Sequence, residues 1–269
     1  CRNGKRISVG DTKVRFSIQS ISKIITLAVA LEICGFDQVF KKVGMEPTGD
    51  PFNSLMKLEN TDSSPYNPMI NAGAIVVASC LASEISFDTM LDTIRALCMD
   101  PDINLDKKVY HSEMSHISRN RAIAYLLESK GYIEKNKDVE NSLHFYVKMC
   151  SLSVTAESLA GLGLILANDG IHPDTGKRLL SSQAVKIVKT LMFTCGMYDG
   201  SGEFAVRVGI PSKSGVGGGI LSVVDGEMGI GIFGPALDKK GNSVAGECVL
   251  EYMSHELHLH MFDPQRHTL

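Results

Sequence analysis

The sequence predicts an α+β protein in which an antiparallel sheet, formed by strands from both chain ends, is flanked by helices and a helical subdomain. Strand-like alternation of apolar residues occurs near the two ends, whereas helical spacing fills the middle. Strands and helices therefore do not alternate one by one, as they do around a parallel sheet. With 269 residues, 44% of them hydrophobic, the chain is long enough to bury a large core. We expect a single domain over residues 1–269.

The N-terminal sheet portion is predicted over residues 5–16. Apolar side chains alternate there with polar ones, and Gly10-Asp11 supplies a turn between the two halves. Alternation around a short polar turn is typical of a β-hairpin. The alternating apolar residues are Ile7, Val9, Val14 and Phe16.

Eight segments carry apolar residues at helical spacing, and several of them end at a glycine, which favours termination of a helix. These segments are 20–34, 71–84, 87–99, 112–130, 139–150, 156–168, 182–195 and 246–258. Seven of the eight lie before residue 200, so the helical portion is predicted over 69–200. The stretch 44–68 is rich in Pro, Gly, Asn, Ser and Asp and is predicted to be a loop.

The C-terminal sheet portion is predicted over residues 204–233. Strand candidates occupy 204–208, 219–224 and 228–233, and Asp225-Gly226 between the last two is a strong hairpin signal. Together with the hairpin near the N-terminus, these strands would complete the sheet.

Net charge, hydropathy and cysteine content exclude some classes of partner and indicate the compartment. The net charge is −3, which argues against nucleic acid or an anionic membrane as a partner, because both favour a basic face. The longest apolar stretch, 24–33, is too short to span a bilayer. Seven widely spaced cysteines indicate buried free thiols in a reducing compartment. Residues 1–13 do not have the pattern of a signal peptide, and we expect a cytoplasmic protein.

The first candidate catalytic residues are Ser20 and Lys23, which lie at the start of a predicted helix that is apolar nearly all round. Residues three apart share a helix face, so the two side chains can meet. A lysine in a dry site loses its charge readily. The neutral amine can then remove the proton of the serine hydroxyl. We therefore predict Ser20 as a nucleophile and Lys23 as its base.

Spacing alone is weak support for this prediction. A second Ser-x-x-Lys occurs at Ser54 to Lys57 in the loop-rich stretch. The ordinary explanation of such a pattern is a capping serine with a solvated lysine. Context favours the first copy, because Lys23 lies on a helix too apolar for a surface lysine.

Two glycine-rich segments add further candidates. Lys213-Ser214-Gly215 leads into glycines and a predicted strand, where a backbone N–H can complete an oxyanion hole; a simple hairpin or bulge is the alternative. The segment matches neither a phosphate-binding loop nor a dinucleotide fingerprint, and no cofactor is expected. Tyr198, in the glycine-rich stretch 195–202, is either a packed ring or a proton carrier.

Taken together, these motifs resemble a known family. Ser-x-x-Lys on a buried helix with Lys-Ser-Gly on a late strand resembles the serine β-lactamases and penicillin-binding proteins. The glutaminases within that fold are a closer match. The matching segments are Gln19-Ser-Ile-Ser-Lys23, Glu46-Pro-Thr-Gly49, Asn67-Pro-Met-Ile-Asn-Ala-Gly-Ala74, Arg119-Asn-Arg-Ala122, Phe145-Tyr146, Cys195-Gly-Met-Tyr-Asp199 and Ser212-Lys-Ser-Gly-Val216.

The resemblance implies hydrolysis of L-glutamine to L-glutamate and ammonia through an acyl-enzyme, in one catalytic domain that self-associates as a dimer or tetramer. It implies Ser20 as nucleophile, Lys23 as base and Tyr198 as proton shuttle, with the amides of Ser20 and Val216 as the oxyanion hole. Substrate-binding positions are implied for Asn71, Glu113, Asn120 and Tyr146. Since the chain begins at Cys1, we expect it to lack the family segment before the first hairpin, which carries a tyrosine of the substrate site.

Side-chain chemistry agrees with part of this assignment. Glu113 and Asn120 are two turns apart on one face of the predicted helix 112–130. A carboxylate suits a substrate ammonium, and an amide suits a carboxylate. Each residue also has a simpler explanation: Glu113 in a first helical turn favours the helix dipole, and Asn71 can cap the helix that follows.

Three other functions compete. A hydrolase of β-lactams or peptidoglycan peptides would share the fold, although its substrates lie outside the cytoplasm. A catalytically silent binding or scaffold protein would lack part of the substrate site. A metal enzyme is suggested by the histidines within His255-Glu-Leu-His-Leu-His260, but the two that flank the glutamate are three apart and not four. We therefore expect no metal site.

Overall fold

Two small antiparallel sheets and eleven α-helices form the part of the chain that the computed structural model describes, namely residues 1, 5–49, 64–135 and 137–266. The predicted α+β class is confirmed. The loop segment with Ser54 and Lys57 lies outside the described residues, so the second Ser-x-x-Lys has no structural account. Within the described ranges, no helix has both the length and the apolar character needed to cross a bilayer.

Each sheet has three strands. The first contains β1 (Phe16–Ser17), β2 (Asn104–Leu105) and β3 (Leu152–Val154) in the order β1-β3-β2. The second contains β4 (Ser212–Ser214), β5 (Gly219–Val224) and β6 (Met228–Phe233) in chain order. Val224 pairs with Met228 across the turn, so the hairpin predicted around Asp225-Gly226 is confirmed.

The helices mostly follow the predicted segments. Helices 139–150 and 182–195 have the predicted bounds because side-chain oxygens of Asp138 and Ser181 cap their first turns. In chain order the helices are α1 (Ser22–Ile33), α2 (Phe36–Phe40), α3 (Asn71–Leu81), α4 (Phe87–Cys98), α5 (Lys107–Ser115), α6 (Ser118–Ser129), α7 (Val139–Cys150), α8 (Ala156–Ala167), α9 (Ser182–Cys195), α10 (Ser201–Arg207) and α11 (Val244–Glu256).

Three helices that are apolar all round lie at the centre of the core. All residues of α3, and nearly all of α1 and α8, are buried, and each fully buried Ile or Leu contributes about 1.5–3 kcal/mol. Helix α8 lies directly on β5 and β6. This close approach requires glycine in the strand, since a Cβ on Gly231 would stand 2.0 Å from the carbonyl oxygen of Ala156.

The predicted N-terminal hairpin is wrong. Gly10 does form a turn, with φ of +74°, but the only strand within residues 5–49 is β1. Ile7 and Val9 are 90% and 86% exposed, so the alternation has no apolar surface to cover. The polar partners of this segment decide its path instead: Ser8 and Thr12 donate hydrogen bonds to Glu157 at the start of α8.

Strands from the two ends of the chain do not form one sheet, as was predicted, but belong to two different sheets. β1 pairs with β3 and belongs to the first sheet, whereas the late strands form the second. The ends still meet at two points. The backbone of Cys1 exchanges two hydrogen bonds with Gly229 of β6, and Phe16 stacks on Phe233 with ring centroids 4.3 Å apart.

Most of the strand predicted over 204–208 is instead part of helix α10, which ends at Arg207 just before Val208. Phe204 and Val208 are buried, while Val206 is 80% exposed. Residues at i and i+4 share one side of a helix, so the same apolar pattern fits a short helix. A salt bridge between Glu203 and Arg207, one helical turn apart, supports this conformation.

The helix predicted over 112–130 is two helices. Asp106 caps α5 by accepting from the backbone N–H groups of Lys108 and Val109, so this helix begins earlier. It ends where the side chains of Ser115 and His116 hydrogen-bond to the carbonyl of Ser112. Such local bonds compete with helix propagation, and α6 starts again at Ser118. Glu113 and Asn120 therefore lie on different helices, and the shared helix face predicted for them is wrong.

Candidate active site

Ser20 and Lys23 lie at the N-terminal end of α1, buried in the centre of the molecule. Residues 19–21 form a 3₁₀ turn and α1 begins at Ser22, so the regular helix starts two residues later than predicted. Ser20 is 7% exposed and Lys23 is 2% exposed. Gln19, just before the serine, has φ of +48°. Left-handed backbone at a residue other than glycine is strained and is often found at functional sites.

The amine of Lys23 is held by two oxygens. Its Nζ donates to the carbonyl of Met69 at 3.1 Å and to Oδ1 of Asn71 at 2.8 Å. Burial lowers the pKa of Lys23 to about 8, against a weaker opposing effect of Cys150. At neutral pH about a tenth of the molecules would therefore carry this amine uncharged.

Tyr198 meets Ser20 from the other side of the fold. It opens a 3₁₀ turn after α9 and has φ of +54°, the second strained residue of this region. Burial raises the pKa of Tyr198 to about 12, while hydrogen bonds with the Ser20 side chain and the backbone N–H of Val216 act in the opposite direction. The phenol therefore stays neutral and keeps its proton, and it lies close to both Ser20 and Val216.

A glycine explains how Val216 comes so close to this cluster. A Cβ on Gly217 would lie 2.2 Å from the carbonyl oxygen of Ser17. Only glycine therefore lets the segment after β4 pack against the chain that leads into Ser20. The segment 213–219 was predicted to supply a backbone N–H to an oxyanion hole, and that role stays a prediction.

The predicted polar residues form a second group beside the pair. Asn71 donates through Nδ2 to Oδ1 of Asn120 at 3.1 Å. Glu113 accepts from Nε2 of Gln19 at 3.3 Å. Tyr146 is 7% exposed, and burial raises its pKa, with smaller contributions from Cys150, Tyr198 and Glu113. All the predicted site residues therefore meet in one place.

The structure adds Lys213, to which no role was given from the sequence although its Lys-Ser-Gly motif was noted. This side chain is fully buried, donates to the carbonyl of Ser214 at 2.6 Å and lies 4.4 Å above the ring of Tyr198. Burial lowers its pKa, and the charge of Lys23 acts in the same direction. Two mutually repelling lysines thus lie in this cluster, and Lys213 is the one above the Tyr198 ring.

A cavity of about 450 Å³ adjoins this cluster. Tyr198, Asp199 and Met69 line it, together with residues 47–49 and 193–195, but Ser20 and Lys23 do not. The cavity therefore lies beside the buried pair and does not contain it.

The histidine-rich segment near the C-terminus has a different environment. α11 ends at Glu256, so His258 and His260 lie beyond the helix that carries His255. The side chain of His255 is hydrogen-bonded to that of Glu256, and the side chain of His258 to that of Asp263. Among the residues that the structure describes, no three His, Cys, Asp or Glu side chains are grouped as metal ligands.

Comparisons with known proteins agree on one family. The family model described as Glutaminase matches residues 1–262. A glutaminase of Fusobacterium nucleatum is 52% identical over 264 residues, covering 97% of this chain and 86% of that protein. A glutaminase of Clostridioides difficile is 53% identical over 259 residues, covering 95% and 83%.

Solved structures give the same result. A Bacillus glutaminase crystallised with 4.3 M NaCl superposes with a TM-score of 0.91 at 41% identity, covering 97% of this chain and 89% of that one. A probable glutaminase from Bacillus subtilis complexed with 6-diazo-5-oxo-L-norleucine superposes with a TM-score of 0.86 at 37% identity, covering 97% of this chain and 83% of that one.

Fold and geometry together define an α+β protein of the β-lactamase-like class with a buried serine–lysine pair near its centre. Within that class, the chain belongs to the glutaminase family of enzymes. The family resemblance drawn from the sequence motifs is confirmed.

Proposed function

We propose that this chain hydrolyses L-glutamine to L-glutamate and ammonia through a covalent ester on Ser20. The observation that carries this proposal is the convergence of Ser20, Lys23 and Tyr198, which come from two distant parts of the chain. Family membership supports the overall reaction, and the arrangement of the buried groups supports the route.

Lys23 supplies the base. Only its neutral form can accept a proton, and burial brings its pKa to about 8, close to working pH, where a general base is most effective. The hydroxyl of Ser20 loses its proton to Nζ of Lys23 as Oγ attacks the side-chain carboxamide carbon of glutamine. The oxyanion then forms between the backbone N–H groups of Ser20 and Val216.

Tyr198 delivers the proton to the leaving group. Its pKa of about 12 keeps the phenol protonated and able to donate. As the C–N bond breaks, the phenol gives its proton to the departing ammonia and takes one back from Lys23. Water then attacks the γ-glutamyl ester, releases glutamate and restores the serine hydroxyl.

The α-substituents of glutamine fit the neighbouring polar group. Because Lys23 donates to Oδ1 of Asn71, the Asn71 amide is oriented with its NH₂ toward Asn120. Asn120 accepts through its oxygen, so its own NH₂ is the end that can donate to the substrate carboxylate. Glu113, held by Gln19, provides the negative charge for the substrate ammonium.

Replacement of the nucleophile tests the proposal. Ser20→Ala is expected to abolish ammonia release while the melting temperature changes little, because the side chain loses only its hydroxyl. Ser54→Ala in the second Ser-x-x-Lys serves as the matched control and should keep most activity. Near-normal turnover by Ser20→Ala would refute the assignment, and a comparable loss in Ser54→Ala would point to the other motif.

Covalent labelling tests nucleophile and substrate class together. A glutamine-like diazoketone should label Ser20, and peptide mapping by mass spectrometry would locate the adduct. A chromogenic cephalosporin should not be hydrolysed if glutamine is the substrate. Label on any other residue, or rapid cephalosporin hydrolysis, would contradict the proposal.

Three broader predictions accompany this function. The single catalytic domain over residues 1–269 predicts one cooperative unfolding transition in calorimetry. The dimer or tetramer predicts the corresponding mass in light scattering. Cytoplasmic localisation predicts recovery of the native protein in the cytoplasmic fraction of its source cells.

A further inference from the structure

Helix α5 carries Glu113 at the site, yet none of its residues is buried. Its contacts with the core include Tyr110 and Met114, one helical turn apart, and both side chains are only partly buried. A helix with so little buried apolar surface is held weakly by packing alone. The position of Glu113 therefore depends on polar contacts between α5 and its neighbours.

A side-chain hydrogen bond joins α5 to α7. The hydroxyl of Tyr110 lies 2.5 Å from Nδ1 of His144, and the centroids of the two rings are 6.2 Å apart. Both residues are partly buried, which strengthens a hydrogen bond relative to an open surface. Just before α5, the backbone N–H of Asp106 donates to the carbonyl of Ser151, directly after α7. The Tyr110–His144 bond is thus a second connection, one turn further along α5.

Both partners of this bond are close in sequence to predicted substrate-binding residues. Glu113 follows Tyr110 by three residues and lies on the same side of α5, where it accepts from Nε2 of Gln19 at 3.3 Å. Tyr146 follows His144 by two residues on α7 and is buried. The bond therefore helps to set the distance between the helix with the carboxylate and the helix with the phenol.

We propose that Tyr110 and His144 are positioning residues whose hydrogen bond holds the carboxylate of Glu113 where it meets the α-ammonium of glutamine. Attraction between opposite charges weakens as they separate, and a direct hydrogen bond is lost once the two atoms are much more than about 3 Å apart. A small outward shift of α5 would admit water and raise KM, while the carboxamide at the other end of the substrate would react as before. This role rests on the proposed hydrolysis of glutamine, since it concerns the same substrate site.

Removal of the bond from either side tests the proposal. Tyr110→Phe deletes only a hydroxyl, and His144→Leu deletes the ring nitrogens. Each should raise KM for glutamine about fivefold, the effect of one hydrogen bond, while kcat changes less than about twofold. The double variant should be no worse than either single variant, because both remove the same bond. His144→Asn keeps an amide near the position of Nδ1 that can accept or donate, so KM should stay within about twofold of wild type.

A substrate without the α-amino group separates positioning of Glu113 from a general loss of structure. Glutaramate is glutamine without that group, so the Glu113 carboxylate has no ammonium to attract. In Tyr110→Phe, kcat/KM for glutaramate should change less than about twofold, whereas kcat/KM for glutamine should fall about fivefold. Equal losses for the two substrates would overturn the proposal.

Tyr125→Phe is the matched control. Tyr125 on α6 also donates to a side chain of α7, the carboxylate of Glu140, at 3.3 Å, but α6 has buried residues that hold it by packing. Loss of this hydroxyl should leave KM unchanged. An unchanged KM in Tyr110→Phe, an equal effect in Tyr125→Phe, or failure of His144→Asn to retain KM would also count against the role. Absence of glutamine hydrolysis by the wild-type protein would instead refute the proposed function.

Discussion

The environment of Lys23 leads to a quantitative prediction about pH. Asn71→Asp places a carboxylate of nearly unchanged shape at the atom that lies 2.8 Å from the lysine Nζ. A negative charge at this distance stabilises the ammonium form of Lys23 and raises its pKa. The adjoining amide of Asn120 can rotate to donate to the new carboxylate, so the change is mainly one of charge.

The size of the effect follows from the pKa of Lys23, which burial has lowered to about 8. An opposite charge in contact raises a pKa by about 1–3 units. At pH 8 the neutral fraction of Lys23 would fall from about a half to about a tenth for a one-unit rise, and to about a hundredth for two units. Because only neutral Lys23 accepts the serine proton, kcat/KM at pH 8 should fall at least about fivefold.

Ammonia release measured as kcat/KM between pH 6 and 10.5 provides the assay. In the wild type the rate should rise with pH through an apparent pKa of about 8. In Asn71→Asp this acidic limb should move to higher pH, and much of the lost activity should return near pH 10. Asn120→Asp is the matched control, because its carboxylate lies one hydrogen bond farther from Lys23 and should shift the limb less. An acidic limb that stays in place, or moves to lower pH, would refute the reasoning.

Two further predictions concern backbone fit and stability. In Gly217→Ala the new methyl group would lie 2.2 Å from the carbonyl oxygen of Ser17 and would displace the N–H of Val216. The value of kcat should then fall about 100-fold, as it does when an oxyanion donor is lost. Gly202→Ala is the control and should leave kcat nearly unchanged, because its Cβ meets no described atom within 4 Å. The pKa of Lys23 falls from 10.5 to about 8 on folding, so the unfolded chain binds more protons between these values and stability rises with pH there. In urea unfolding, the free energy of unfolding of the wild type, taken relative to that of Lys23→Met, should rise by about 3 kcal/mol from pH 7 to pH 10.5. If this difference does not change with pH, the lysine pKa is not lowered in the folded protein.

Much of the fold could be predicted from short-range patterns. Helical periodicity with a capping residue located α7 and α9, and Asp225-Gly226 located the β5–β6 hairpin. These features depend on interactions between residues close in the chain. The N-terminal hairpin and the strand at 204–208 were wrong because alternation alone does not say whether an apolar surface exists for those side chains to cover.

The candidate site was predicted largely through its motifs, and less through local geometry. The interpretation that Glu113 and Asn120 share a helix face was wrong, yet both residues reach the same cluster from separate helices. Lys213 carried only a weak signal in its Lys-Ser-Gly motif.

Residue types and their periodicity along this chain determine an α+β protein with a buried Ser20–Lys23 helix, because burial of an apolar segment is decided by its own composition. Packing decides the chemistry around that helix. Lys23 has a lowered pKa because the packing of α1 against Met69 and Asn71 buries its amine away from water. The same packing brings the Cys150 thiol into contact with the hydroxyl of Ser22, although more than a hundred residues of chain separate them. Such contacts depend on how whole elements pack, and no local pattern records them.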